Sequence, residues 1–153
     1  MTRSFFDQHR AIDTDTHVTE PPDTWTARLP SKWGDQIPHI ERVDGRDLWI
    51  IGGDVAGGPG MVTAAGFDGT IPETRLTFDE CPAASWDAKA RLAMMDEEGI
   101  YGQVLYPNTG GFGSQAFLKL KDPQLMLACV RAYNDFLAEW CSADPNRLIP
   151  VMA

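Results

Sequence analysis

The chain reads as an α/β fold. Short strand-like stretches at residues 10–15, 102–106 and 148–152 alternate with two segments of helical periodicity, 86–98 and 123–143. Strands that alternate with helices pack as a parallel sheet covered by its crossovers. With 153 residues there is enough chain for one core of ordinary size.

Each element has its own local reason. Residues 21–37 are rich in proline and tryptophan without a clear period, which predicts an ordered loop with a short helical turn. Residues 39–43 and 46–51 flank Asp44-Gly45, a two-residue hairpin signal. Residues 52–69 are glycine-rich and hold Pro59, and predict a mobile loop. The helix over 86–98 ends at Gly99, a left-handed stop, and turns Ala88, Leu92 and Met95 inward. Asp96, Glu97 and Glu98 in its last turn have the wrong sign for a helix C-terminus, so they read as solvent-facing charge with one structural pairing. Asp122 is placed to cap the second helix and Pro123 to occupy its first position. Leu125, Cys129, Ala132, Phe136 and Trp140 recur at helical spacing, a core face rather than a cofactor box.

The chemistry concentrates in Ile12-Asp13-Thr14-Asp15-Thr16-His17-Val18-Thr19-Glu20-Pro21. Side chains alternate along a strand, so Asp13, Asp15 and His17 should share one face where the chain ceases to be extended. Two carboxylates and an imidazole aimed together are half of a divalent-metal site. The same spacing also suits a polar strand end in which Asp13 or Asp15 caps a turn and His17 is solvated. Other chemistries fall away. The glycine run from Gly52 to Gly60 has no Gly-Lys-Ser/Thr and leads into no helix, so it cradles no phosphate or dinucleotide. Ser85 and Ser114 lack a nucleophile elbow, and His9 and His39 have no partner at ligand spacing.

Asp15-Thr16-His17, followed by Pro21, Pro22 and Trp25, resembles the opening His-x-His of the amidohydrolase-related family, in its aminocarboxymuconate-semialdehyde decarboxylase-like branch. Further stretches resemble the same family in order. Ser85-Trp86-Asp87 through Gly99-Ile100 is similar to its first barrel helix, and Gln103 through Pro107 to its second strand. Tyr133 through Ala138 and Asp144 through Pro150 are similar to the second helix and third strand. The resemblance implies that residues 1–153 are the N-terminal segment of a single metal-dependent hydrolase (β/α)₈ barrel, about three of eight strands, with a Pro/Trp/Gly-rich insertion after the first.

It further implies that Asp15 and His17 are two ligands of one divalent ion, Zn, Mn or Mg. The other ligands and a general acid/base would lie beyond Ala153, so the isolated chain is expected to be inactive. Asp15 stands where a histidine is common, and a harder carboxylate donor favours manganese or magnesium over zinc. Asp13 is then a candidate to orient His17 or a neighbouring strand. Glu20 contacts a metal-bound water or holds a loop, and Asn108 lies in the loop on the catalytic face. Arg75 pairs with a substrate carboxylate or is a surface arginine. The implied reaction is non-oxidative decarboxylation of an aromatic or unsaturated carboxylic acid, or hydrolysis by an activated water. The implied partner is that small-molecule acid, and the full-length protein is expected to be a homo-oligomer. An inactive fragment or small binding module is the alternative from another class.

Composition excludes several partners. A formal charge of −9 without a Lys/Arg cluster argues against nucleic acid and anionic membranes. The first ten residues lack the apolar core of a signal peptide, and no stretch reads as a bilayer span. Cys81, Cys129 and Cys141 match no zinc or redox spacing and read as idle thiols of a cytoplasmic protein.

Overall fold

Two three-stranded sheets of opposite character organise the chain. The computed structural model describes residues 9–60, 62–67, 77–110 and 112–153. One sheet is parallel, in the order β1 (Ala11–Val18), β5 (Ile100–Pro107), β6 (Leu148–Pro150). The other is an antiparallel meander of β2 (His39–Val43), β3 (Arg46–Ile51) and β4 (Asp54–Gly57). Helix α1 (Ala88–Glu98) leads into β5 and helix α2 (Pro123–Cys141) leads towards β6. The α/β class read from the alternation is the one observed.

β1 runs three residues past the 10–15 reading, and β5 exceeds 102–106 at both ends. The cause is tertiary. The two strands pair from Ala11 with Ile100 to Val18 with Pro107, and this long pairing outweighs the weak strand preference of their polar residues. Asp15 and His17 therefore lie inside the strand rather than where it ends.

The meander is held by two tight turns. Asp44 and Gly45 have φ of 50° and 78°, and Gly52 and Gly53 have 62° and 85°. Positive φ at both central positions is the hairpin turn whose twist matches its flanking strands. Residues 52–57 are thus a turn and a strand, which corrects the mobile loop expected over 52–69. Residues 61 and 68–69 of that expectation lie outside the described residues. The meander is fastened by aromatic rings. Trp49 meets Trp25 edge-on with centroids 4.9 Å apart, Phe117 lies 5.6 Å from Trp25, and Phe78 lies 6.2 Å from Trp49. Trp25 and Trp49 are fully buried, and Trp25 Nε1 donates to the Cys129 carbonyl at 3.1 Å. They join Val18, Met95, Leu105, Tyr133, Leu137 and Leu148 in one core that crosses both sheets and both helices.

α1 starts later than the 86–98 reading. Ala83–Trp86 forms a separate helical turn, and Asp87 breaks the run with φ −105° and ψ 122°. Its Oδ1 accepts from Ala90 N at 2.7 Å, a side-chain cap that competes with continuing the helix. Asp87→Ala is expected to cost about 1 kcal/mol in urea denaturation, and Asp87→Asn well under half of that. Equal losses for the two would show that the cap is not the cause. Gly99 closes the helix at φ 73°. Asp122 caps α2 through Gln124 N and Leu125 N, and Pro123 takes the first position. The stripe Leu125, Cys129, Ala132, Phe136 and Trp140 is buried as its spacing predicts. Cys81, Cys129 and Cys141 are buried, and burial pushes the Cys129 and Cys141 thiols up to about 12, which leaves these two inert at neutral pH.

Candidate functional site

Between Asp13 and Thr16 the pairing of β1 with β5 slips. Asp13 opposes Gln103 and Thr16 opposes Leu105, so three residues on β1 advance against two on β5. This is a bulge, and it breaks strict alternation. Asp13, Asp15 and His17 nonetheless border one cavity, as expected, although strict alternation is not what brings them there. Asp13 is drawn into the network beneath α1, with Oδ2 accepting from Gln103 Nε2 at 3.0 Å, and Oδ1 accepting from Asp15 N at 3.1 Å. Asp13 thereby stitches the bulge to its neighbouring strand.

Past the bulge, His17 pairs with Tyr106, and its Nδ1 bonds the Pro107 carbonyl oxygen at 2.8 Å. A carbonyl only accepts, so Nδ1 carries the proton, and in the neutral ring Nε2 carries the lone pair. Asp15 and His17 line one cavity of about 580 Å³, which runs along β1, the edge strand of the described sheet. Asp13, Thr16 and Gln103 also border it, as do residues 64–67 and, from the last turns of α1, Met94, Glu97 and Glu98.

The acidic end of α1 is exposed, as expected, with one ion pair among the described residues, Asp96 to Arg147 at 2.8 Å. Glu97 and Glu98 nonetheless face the same cavity as Asp15 and His17. The described lining includes no lysine or arginine. Four carboxylates and one imidazole therefore make that wall acidic, with the Asp13 and Glu98 charges partly offset by the buried guanidinium of Arg91.

Glu20 is fully buried and faces the loop after β5 rather than the cavity. Its Oε1 accepts from Asn108 N and Thr109 N, each at 3.0 Å, and its Oε2 accepts from Thr109 N at 3.0 Å and Asn108 Nδ2 at 3.4 Å. Burial pushes the Glu20 carboxyl up, and these donors pull it back. Asn108 is buried too. Its amide is spent on Glu20, on Thr109 Oγ1 and on Val62 N, so it braces the loop and does not line the cavity. Arg75 lies outside the described residues.

Sequence reading missed Arg91, which is fully buried. Its guanidinium donates to the Ala84 and His17 carbonyls, to Gln103 Oε1 at 3.1 Å and to Thr16 Oγ1 at 3.4 Å. Burial lowers it to about 10, against the pull of Asp13 and then Glu98, so it stays charged. The signal was its position: Arg91 sits three after Ala88 and four before Met95, on the inward stripe.

Among the described residues no group of three or more His, Cys, Asp or Glu is close enough to hold an ion, so Asp15 and His17 make at most part of a ligand set. No helix among them is long and apolar enough to cross a membrane. No protein-family model and no curated protein matches the chain. Among solved structures it is similar to an amidohydrolase from Mycobacterium avium subsp. paratuberculosis K-10, with a TM-score of 0.69 and 24% identity. That match covers 94% of this chain and 42% of the amidohydrolase, so this chain spans less than half of that protein's length. At this identity the likeness establishes a shared fold, that of part of an amidohydrolase.

Proposed function

We propose that this chain carries two metal-binding side chains, Asp15 and His17, of an amidohydrolase-related enzyme that decarboxylates an aromatic or unsaturated carboxylic acid. One observation supports this above the rest: the two side chains border one acidic cavity, with His17 Nδ1 committed to the Pro107 carbonyl. That bond directs the lone pair to Nε2, the usual arrangement of a ligating histidine. A carboxylate oxygen beside a neutral imidazole nitrogen suits zinc, manganese or magnesium. A divalent ion there supplies Lewis acidity, which polarises a substrate oxygen or activates a water.

The chain's own residues do the rest. Asp15 brings negative charge and a hard donor. Asp13 holds the bulge that separates Asp15 from the network beneath α1. Arg91 fixes the His17 backbone through its carbonyl. The negative wall repels a free carboxylate, so an acid substrate needs a positive counter-charge at Asp15 and His17 in order to enter. The whole protein's remaining ligands and its proton donor would come from strands beyond residue 153. Hydrolysis is the second reading, favoured by the name of the similar structure, an amidohydrolase.

The test uses the whole protein that carries this chain, loaded in turn with Zn, Mn and Mg and given a panel of aromatic and unsaturated acids in D₂O without oxygen. Release of CO₂ with deuterium at the vacated carbon is the expected result. Hydrolytic cleavage without CO₂ would replace decarboxylation by the second reading. Metal-dependent turnover of neither kind would overturn both.

A further inference from the structure

We propose that Glu20 is a positioning residue for His17, acting through the single peptide unit that joins Pro107 to Asn108. The carbonyl of that unit accepts from His17 Nδ1 at 2.8 Å, and the N–H of the same unit donates to Glu20 Oε1 at 3.0 Å. A peptide unit is a rigid plane, so fixing the direction of its N–H fixes the direction of its C=O. A strong acceptor on the N–H also polarises the unit and makes its carbonyl oxygen a stronger acceptor.

Glu20 makes that grip firm, because both its oxygens also accept from Thr109 N at 3.0 Å. It is fully buried, so water cannot take its place. The arrangement closes on itself: the backbone leads from His17 to Glu20, Glu20 holds the 107–108 peptide, and that peptide holds the His17 ring. Thr19 N, bonded to the Ser85 carbonyl at 2.8 Å, anchors the covalent arm of this circuit, and Arg91 on the His17 carbonyl anchors its other end. The result is one tautomer in one orientation, set by a carboxylate that does not touch the ring. Its value for metal binding rests on the reading of His17 as a ligand, whereas the relay itself is measurable without metal.

The test is NMR on metal-free, isotopically labelled protein at a pH where imidazole is neutral. In the wild type, the expected result is His17 protonated on Nδ1, with couplings across the hydrogen bonds from Nδ1 to the Pro107 carbonyl and from Asn108 N to the Glu20 carboxyl. Glu20→Gln presents an amide NH₂ to donors and should lower the tautomer ratio roughly tenfold or more. Zinc titration should then show affinity falling about 10–100-fold. A shifted tautomer with no zinc bound by either protein upholds the relay and rejects the metal reading. A folded Glu20→Gln protein with an unchanged tautomer overturns the relay, whatever zinc does. If Glu20→Gln does not fold, the wild-type couplings decide: both present supports the relay, and the absence of either overturns it.

Discussion

His17→Ala in the whole protein is expected to reduce turnover by more than about 100-fold, with bound metal falling in parallel. Among the described side chains bordering the cavity the imidazole is the only one with a ligating nitrogen lone pair, and its neighbours there are carboxylates or groups without a lone pair of comparable strength. Removing it would leave Asp15 alone of the pair to hold an ion. Stability should change little by comparison, since His17 is only partly buried. Activity and metal content measured beside a thermal melt separate the two effects. A metal-replete His17→Ala protein with full turnover would reject the assignment, and so would a loss of activity explained by unfolding alone. Asp15→Ala should follow the same pattern.

Arg91→Met should lower the stability of the fold by about 3 kcal/mol or more, since each buried acceptor left without its donor costs about 1–3 kcal/mol. The methionine fills much of the volume, yet it leaves the Ala84 and His17 carbonyls and Gln103 Oε1 without their donor. For a chain of this size that loss corresponds to a melting temperature lower by roughly 10 °C. Arg91→Lys should cost nearly as much, because an ammonium cannot serve three diverging acceptors from one plane. Melting temperatures within a degree or two of wild type for both variants would show that the guanidinium network carries no weight.

The elements that were legible in the sequence are those with a local cause. Asp44-Gly45 marked its hairpin, Gly99 and Asp122 marked helix ends, and the α2 stripe from Leu125 to Trp140 marked a buried face. Asp15 and His17 were visible as a pair because they sit two apart on a strand.

What stayed illegible depends on residues distant in sequence. The bulge that takes Asp13 out of phase is defined only against Gln103 and Leu105 on β5. Glu20 reads as a loop or site residue until Asn108 and Thr109 are known to lie beside it. Glu97 and Glu98 look like solvated charge at a helix end, and only the placement of α1 against β5, the neighbour of β1, brings them to the same cavity as His17. Two features could have been read locally. Gly52-Gly53 is itself a two-residue turn signal, and Arg91 stands on an apolar stripe where a charge demands partners.

The pairing of β1 with β5 has a kinetic side. His17 and the Pro107 carbonyl that holds it are 90 positions apart, whereas the meander closes through two-residue turns. Closing a long loop costs about 0.6 kcal/mol more for each doubling of its length, so a chain of this topology collects its local contacts before its distant ones. The meander folded first shortens the effective span between β1 and β5, and the Trp49 face it presents to Trp25 lies near the chain that follows β1. On this account the small sheet acts as a staging post for assembly, and Asp15 and His17 are among the last residues to acquire their final geometry.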